Sequence, residues 1–246
     1  KFINRLIYNS RVDGIVVNSR YVYEGIKMTR WLDLSKVSII HNGIDMDRFA
    51  SAPDSQIREK LGISRSSFVI SVVGRLIRWK NVDKVITAFS SIVKEDSSAA
   101  LLIAGTGEEE ERLKSRALSL NLENSVFFLG FRKDVEKVYA ASDLVIVFSR
   151  RESFGYATAE AMGAGIPVVC SDSGSNRELV VDGVTGLVIP QDDIKGLIRA
   201  VLFLMKNRKI AREMGKRGRE RVMRYFTAQK MAREYESLFY RMNEGG

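Results

Sequence analysis

The sequence predicts an α/β fold: an open parallel sheet of Rossmann type, helices on both faces, and further helices at the C-terminus. Three observations predict it. From residue 68 onward, short apolar runs alternate with amphipathic stretches of about 10–15 residues, which implies right-handed βαβ units and a parallel sheet. The runs are apolar throughout instead of alternating with polar residues, as strands must be when helices cover both faces. The last stretch, from "DDIKGLIRAVLFLMKN" onward, has helical spacing only, enough for two or three helices.

Each element has its local reason. "DGIVVNS" (13–19) and "VSII" (37–40) are β-branched runs bounded by turn residues. "HNGID" holds an Asn-Gly turn, and "APDSQIREKLG" a short helix closed by Gly62. The strands are then "FVISVVG", "AALLIAG", "SVFFLG", "DLVIVFS", "PVVCS" and "TGLVIP". Between them, "NVDKVITAFSSIVKE", "EEEERLKSRALSLN", "KDVEKVYAAS", a helix inside "SRRESFGYATAEAM" and a short one in "NRELVVDG" form the crossovers. No internal repeat or low-complexity segment interrupts them.

Composition bounds the function. The chain has 246 residues and is 45% hydrophobic, enough for a sizeable core. It has no run of 18 apolar residues that could span a membrane. "KFINRLIYNS" lacks the apolar core and cleavage site of a leader, and starts without Met, so a longer parent chain is expected. The one cysteine, Cys170, reads as a small buried apolar residue and suits a reducing compartment. A cytoplasmic location follows as an expectation. The net charge of +9 favours anionic partners: nucleotides, acidic lipid surfaces or nucleic acids. Much of the excess lies in "KNRKIAREMGKRGRERVMRY", whose helical spacing and scattered acids read first as a solvated face. A peripheral membrane or interdomain face is the sharper alternative. Without aromatic interleaving, nucleic acid is the weakest.

In open α/β sheets ligands bind outside the carboxyl ends of the strands, so the loops there carry the chemistry. "GRLIRWKN" supplies Gly74, where a backbone can approach a ligand, and Arg75 and Lys80, which neutralise phosphates. "GTGEEEE" starts like a dinucleotide fingerprint, but Glu110 stands at the third Gly position. Its acids suit a helix N-terminus and would repel a pyrophosphate, which argues against a dehydrogenase. "ESFGYATAE" places Glu152 and Glu160 with seven residues between them. On one helix they would be about 12 Å apart along the axis. That is beyond the roughly 5–9.5 Å between glycoside hydrolase carboxyls. Phe154-Gly155 instead reads as the start of the helix, with Ser153 before it and Tyr156 and Ala157 after. Glu152 then lies in the loop, Glu160 on the second turn, and the free amides of 155–157 form an anion site between them. An acid, phosphate-binding amides and a second acid match the sugar, diphosphate and ribose of a nucleotide sugar. These strand-end loops contain no Asp-x-Asp pair, and no Cys/His spacing suits a metal, so neither metal nor cofactor is expected. His41, the only histidine, sits beside the turn and reads as structural.

Five segments in order, "VVGRLIRWKNVDKVITAF", "LLIAGTGEE", "VFFLGF", "ESFGYATAEAMGAGIPVV" and "NRELVVDGVTGLVIPQDD", resemble the donor-binding half of a family 4 glycosyltransferase of the GT-B fold. "VSIIHNGIDMDRF" resembles that family's interdomain segment. The resemblance implies a donor domain over 49–246, preceded at 1–48 by the last part of an acceptor-side domain. It implies retaining transfer of a sugar, typically a hexose, from a UDP- or GDP-type nucleotide sugar to a glycan or lipid-linked acceptor, as in polysaccharide biosynthesis. Arg75 and Lys80 would hold the diphosphate, Glu152 the donor sugar and Glu160 the ribose. Backbone near Phe131 would meet the base. Catalysis by Arg75, Lys80 and Glu152 would be electrostatic. The missing acceptor domain would be the main partner, and the piece alone would be inactive. The family's Gly-Gly in the "SDSGSNRE" loop is Gly174-Ser175 here. Two other readings stay open: a nucleotide-sugar-binding module without turnover, and a basic module for membranes or nucleic acid.

Overall fold

A computed structural model describes residues 11–30, 32–50 and 56–244. The "KFINRLIYNS" start and the "APDS" part of the first short helix lie outside the described residues.

The chain opens with a small parallel pair, β1 (Ile15–Val17) and β2 (Val37–Ile39), joined through helix α1 (Arg20–Lys27). Ser19 caps α1 by accepting the Val22 amide. Two single-turn helices follow, α2 (Asp47–Ala50) and α3 (Ile57–Lys60). The regular alternation then runs β3 (Val69–Val73), α4 (Val82–Glu95), β4 (Ala100–Ala104), α5 (Glu110–Ser119), β5 (Val126–Gly130), α6 (Val135–Ala140), β6 (Leu144–Val147), α7 (Tyr156–Gly163), β7 (Val168–Ser171), α8 (Asn176–Leu179) and β8 (Leu187–Ile189). Helices α9 (Ile194–Lys206), α10 (Arg208–Tyr225) and α11 (Ala228–Glu244) complete it.

Strands β3 to β8 form one sheet in the order β5-β4-β3-β6-β7-β8, every pair parallel. Alternate side chains explain the unbroken apolar runs. Ile70 and Val72 of β3 join a core with α4, α5 and α9, whereas Val69 joins one with α3 and α6. Val145, Val147, Val168 and Cys170 face α7 and α10. Cys170 is fully buried, and burial pushes its thiol far above the ordinary range, which leaves it inert.

Two helices are shorter than their sequence patterns. The "EEEE" helix begins at Glu110 because the turn before it is tied elsewhere: the Glu109 amide donates to the Leu76 carbonyl at 3.0 Å. The "NRELVVDG" helix ends at Leu179, because Val180 turns extended and the Thr185 hydroxyl takes the Val181 amide.

The chain passes between the small pair and the large sheet twice, at one place. The Ile44 amide donates to the Phe226 carbonyl at 2.9 Å, and the Ala228 amide to the Ile44 carbonyl at 2.9 Å. A Cβ on Gly43 would lie 2.2 Å from the Thr227 carbonyl oxygen, so only glycine allows the crossings this close. Beyond them α11 runs back until Met242 lies against Gly14.

Candidate functional site

Strand order reverses between β3 and β6, so the crevice lies at their carboxyl ends. Three ties hold the two loops there. Asn81, left-handed at φ 52°, donates its side-chain amide to the Phe148 carbonyl at 3.1 Å. The Arg150 amide donates to the Trp79 carbonyl at 2.8 Å. Lys80 Nζ donates to Glu152 Oε1 at 2.6 Å. A cleft results, walled by Gly74, Arg75, Lys80 and Ser149. The Lys80 stem lies across Gly74, 4.0 Å from where a Cβ would stand. Arg75 is exposed, and its guanidinium has no partner among the described residues.

Glu152 is buried to 9% exposure although it is an acid in a loop. Its backbone is clamped from the β7 loop: Gly174 packs where a Cβ would fall 2.0 Å from the Glu152 carbonyl oxygen, and the Ser175 amide donates to that oxygen at 3.0 Å. Gly174 therefore does the close packing, while Ser175 is fully buried. Ser153 and Tyr156 are exposed. Phe154 differs from the other expected site residues. Its ring is 1% exposed, packed edge-on against Tyr156 at 5.2 Å and Phe226 at 6.1 Å, so it offers a ligand only backbone. Gly155 holds φ 88° and begins α7, and no side chain caps that terminus. The first amides of α7, from Tyr156 and Ala157, thus remain available to an anion.

Glu160 does sit on the second turn of α7. The buried Tyr139 hydroxyl donates to its Oε2 at 2.8 Å. Burial lifts the Glu160 carboxyl above its ordinary value, opposed by Tyr139 and the Arg48 charge. Arg48 itself is paired with Glu136 at 2.9 Å. Phe131 stands at the end of the edge strand β5, 72% exposed, two strands from β3. Arg75 and Lys80 thus line the cleft and Lys80 reaches Glu152, the α7 terminus follows Glu152 in the same loop, and Glu160 and Phe131 lie on the flanks. His41 is not in the cleft: its Nε2 is 2.9 Å from Glu178 Oε2, and its ring meets Phe226 edge-on at 5.5 Å. Among the described residues no group of three His, Cys, Asp or Glu side chains is placed to hold a metal.

Two supporting residues escaped the sequence reading. Asp192, at φ 64° after β8, accepts from Lys84 at 2.5 Å, Asn81 at 3.0 Å and Arg150 at 3.2 Å, so it braces both cleft loops. The Lys84 hydrogen bond, then Arg150, holds its carboxyl below the ordinary range. Tyr139 was legible only as a helical residue, because its partner lies on another element.

The cleft can be set beside known proteins. The model of the family described as "Glycosyl transferases group 1" matches residues 53–221. N-acetyl-alpha-D-glucosaminyl L-malate synthase of Bacillus anthracis is 31% identical over 204 residues, 83% of this chain and 53% of its own length. The UDP-Gal:alpha-D-GlcNAc-diphosphoundecaprenol alpha-1,3-galactosyltransferase of Escherichia coli is 31% identical over 217 residues, 86% of this chain and 56% of its own. The chain thus spans about half the length of these curated relatives. Anabaena Alr3699/HepE, crystallised with UDP and glucose, shares the fold at a TM-score of 0.90 and 24% identity, over 97% of this chain and 66% of that one. With the family model covering more than half of the chain, in register with the sheet and its cleft loops, this chain belongs to the group 1 glycosyl transferases.

Proposed function

We propose that this chain is the donor-binding part of a retaining glycosyltransferase that takes its sugar from a nucleoside-diphosphate sugar. One observation carries the reading: Arg75, without a partner among the described residues, and Lys80, paired with Glu152, line one strand-end cleft, and the uncapped terminus of α7 begins four residues after Glu152. Two cations and a set of amides suit a diphosphate, while a buried carboxylate suits sugar hydroxyls. In the transfer, the acceptor oxygen bonds to the anomeric carbon as that carbon's bond to the diphosphate oxygen breaks. The electron pair leaves on the diphosphate, and the acceptor's proton is passed to the departing phosphate oxygen. Arg75, Lys80 and the α7 amides oppose the charge that builds there. Glu152 orients the hexose and holds Lys80, Glu160 reads the ribose, and backbone near Phe131 meets the base. The catalytic chemistry uses no metal ion. Retention fits the name of the Escherichia coli relative, which forms an α linkage from UDP-Gal. The Bacillus anthracis and Escherichia coli relatives are nearly twice as long as the matched region. This supports a requirement for further acceptor-binding structure before turnover.

Titration calorimetry with UDP, GDP, ADP and their monophosphates tests the reading. At least one diphosphate should bind more tightly than its monophosphate. Arg75→Ala should weaken that diphosphate about ten- to a hundredfold, the scale of one charged hydrogen bond. Equal affinity of wild type and variant would remove Arg75 from the site.

A further inference from the structure

Tyr139, on α6, carries a hydroxyl that packing does not require. Its ring is fully buried in the apolar cluster that faces α7, together with Phe49, Val145, Val147, Phe154 and Met162. The Phe49 ring is tilted against it at 6.0 Å. Among the buried residues of that cluster, no other carries a hydroxyl. A phenylalanine would fill the same space, so the oxygen answers to something else. A buried tyrosine hydroxyl requires a partner, and this one has Glu160 Oε2 at 2.8 Å.

Glu160 is held through one oxygen only. Its neighbours Ala159 and Ala161 are fully buried, while Glu160 keeps partial exposure. Oε2 takes the Tyr139 hydroxyl, and Oε1 has no hydrogen-bond partner among the described residues. The charged or titratable groups that bear on the carboxylate are Tyr139 and Glu136 from α6, Arg48 from α2 and Tyr156 from its own helix. Arg48 is committed elsewhere, to Glu136 at 2.9 Å and to the Lys133 carbonyl, so it lends Glu160 a field and not a bond. Tyr156 stands exposed one turn earlier. Among the described residues, Tyr139 alone hydrogen-bonds the carboxylate. From Tyr156, at the α7 terminus, to Glu160 is four residues of helix, about 6 Å along the axis. That is comparable to the reach from a phosphate to the hydroxyls of its own ribose.

We propose that Tyr139 is a positioning residue for the nucleotide and sets the chain's preference for ribose over deoxyribose. The inference rests on the donor reading, in which Glu160 meets the ribose, and goes on to the group that makes this contact selective. By taking Oε2, the hydroxyl holds the carboxylate in one orientation and leaves Oε1 to accept from the ribose hydroxyls. Such an acceptor is fixed before the nucleotide arrives, so little ordering is left to be done on binding. The same bond favours the charged form, against the burial that favours the neutral acid. Tyr139 touches no substrate and acts through Glu160 alone.

Calorimetry on the 246-residue chain reads the preference as a ratio of affinities. UDP, GDP and ADP are each compared with their 2′,3′-dideoxy forms. The members of a pair differ only at the ribose, so titration of the phosphates cancels from the ratio. Wild type should favour the ribose form at least about tenfold. Tyr139→Phe, which keeps the buried ring, should shrink the ratio about two- to tenfold, the net scale of one hydrogen bond. Its affinity for the dideoxy form should be unchanged. Glu160→Ala should abolish the preference, and adding Tyr139→Phe to it should change nothing more. The pH profiles should also part. The Tyr139 hydrogen bond is the largest influence that lowers the Glu160 pKa, so without it the carboxyl protonates at higher pH. From about pH 8 to about pH 5, the ratio should therefore begin to fall earlier in Tyr139→Phe than in wild type. A tyrosine that serves only the core would weaken both members of a pair equally and leave the pH profile in place. Either result would overturn the proposal, as would a Tyr139→Phe effect that persists beside Glu160→Ala. A diphosphate that binds, is weakened by Arg75→Ala and shows no ribose preference would overturn it and leave the donor reading standing. Failure of all three diphosphates to bind would remove both.

Discussion

Glu152 and Glu160 are both acids of one motif, yet their surroundings differ. Glu152 holds Lys80, and Glu160 leans on a buried tyrosine. Their failures should differ too. Glu160→Ala should weaken a free nucleoside diphosphate and its sugar nucleotide alike, by about 1–3 kcal/mol, because both contain ribose. Glu152→Ala should weaken only the sugar nucleotide, and the freed Lys80 should leave diphosphate binding intact or tighter. Calorimetry on both variants, with circular dichroism as the folding control, reads the split. Loss of diphosphate binding in Glu152→Ala would show that Glu152 does not read the hexose. That Arg75, Lys80, Glu152 and Gly155 fall in loops after strands was legible because the apolar runs mark where each strand stops. Tyr139 and Asp192 were not. A tyrosine in a helix or an acid after a strand acquires meaning only from a partner that the fold brings from a distant stretch of chain.

At the scale of elements, the alternation of apolar runs and amphipathic stretches was enough to place the strands and crossovers of the sheet. What it missed were ends. Gly105 and Gly107 read as a degenerate dinucleotide fingerprint. They serve instead to let one loop lie on another: a Cβ on Gly105 would stand 1.8 Å from the Gly74 carbonyl oxygen, and one on Gly107 2.3 Å from that of Leu76. Loop against loop has no periodicity for a sequence to display. Asp192 ties α4, the Asn81 turn and the β6 loop in the same hidden way. Its folded pKa is depressed, so it contributes stability above its unfolded value near 3.8, and that stability is lost as pH falls through the lower folded value. Urea denaturation of wild type and Asp192→Asn at pH 7 and pH 3 checks this. The gap should be open at pH 7 and smaller at pH 3, modest throughout because the carboxylate is 40% exposed. A constant gap would mean that Asp192 acts by shape and not by charge.

For the whole molecule, the reading expects binding without turnover. The 246-residue chain, given a sugar nucleotide and an acceptor, should form no glycoside, since transfer needs both substrates held in near-attack geometry. Product beyond one equivalent per protein, followed by mass spectrometry, would show that the chain is a complete enzyme. Among the described residues no helix is long and apolar enough to cross a membrane. The paired crossings at Ile44 and Phe226–Ala228 have a mechanical meaning. Two backbones side by side, pinned by two hydrogen bonds with Gly43 pressed between, act as a single clasp. The small sheet is held to the large one here and again at Glu178, whose carboxylate takes the Arg20 and Tyr21 amides, so the two sheets are fastened at two points.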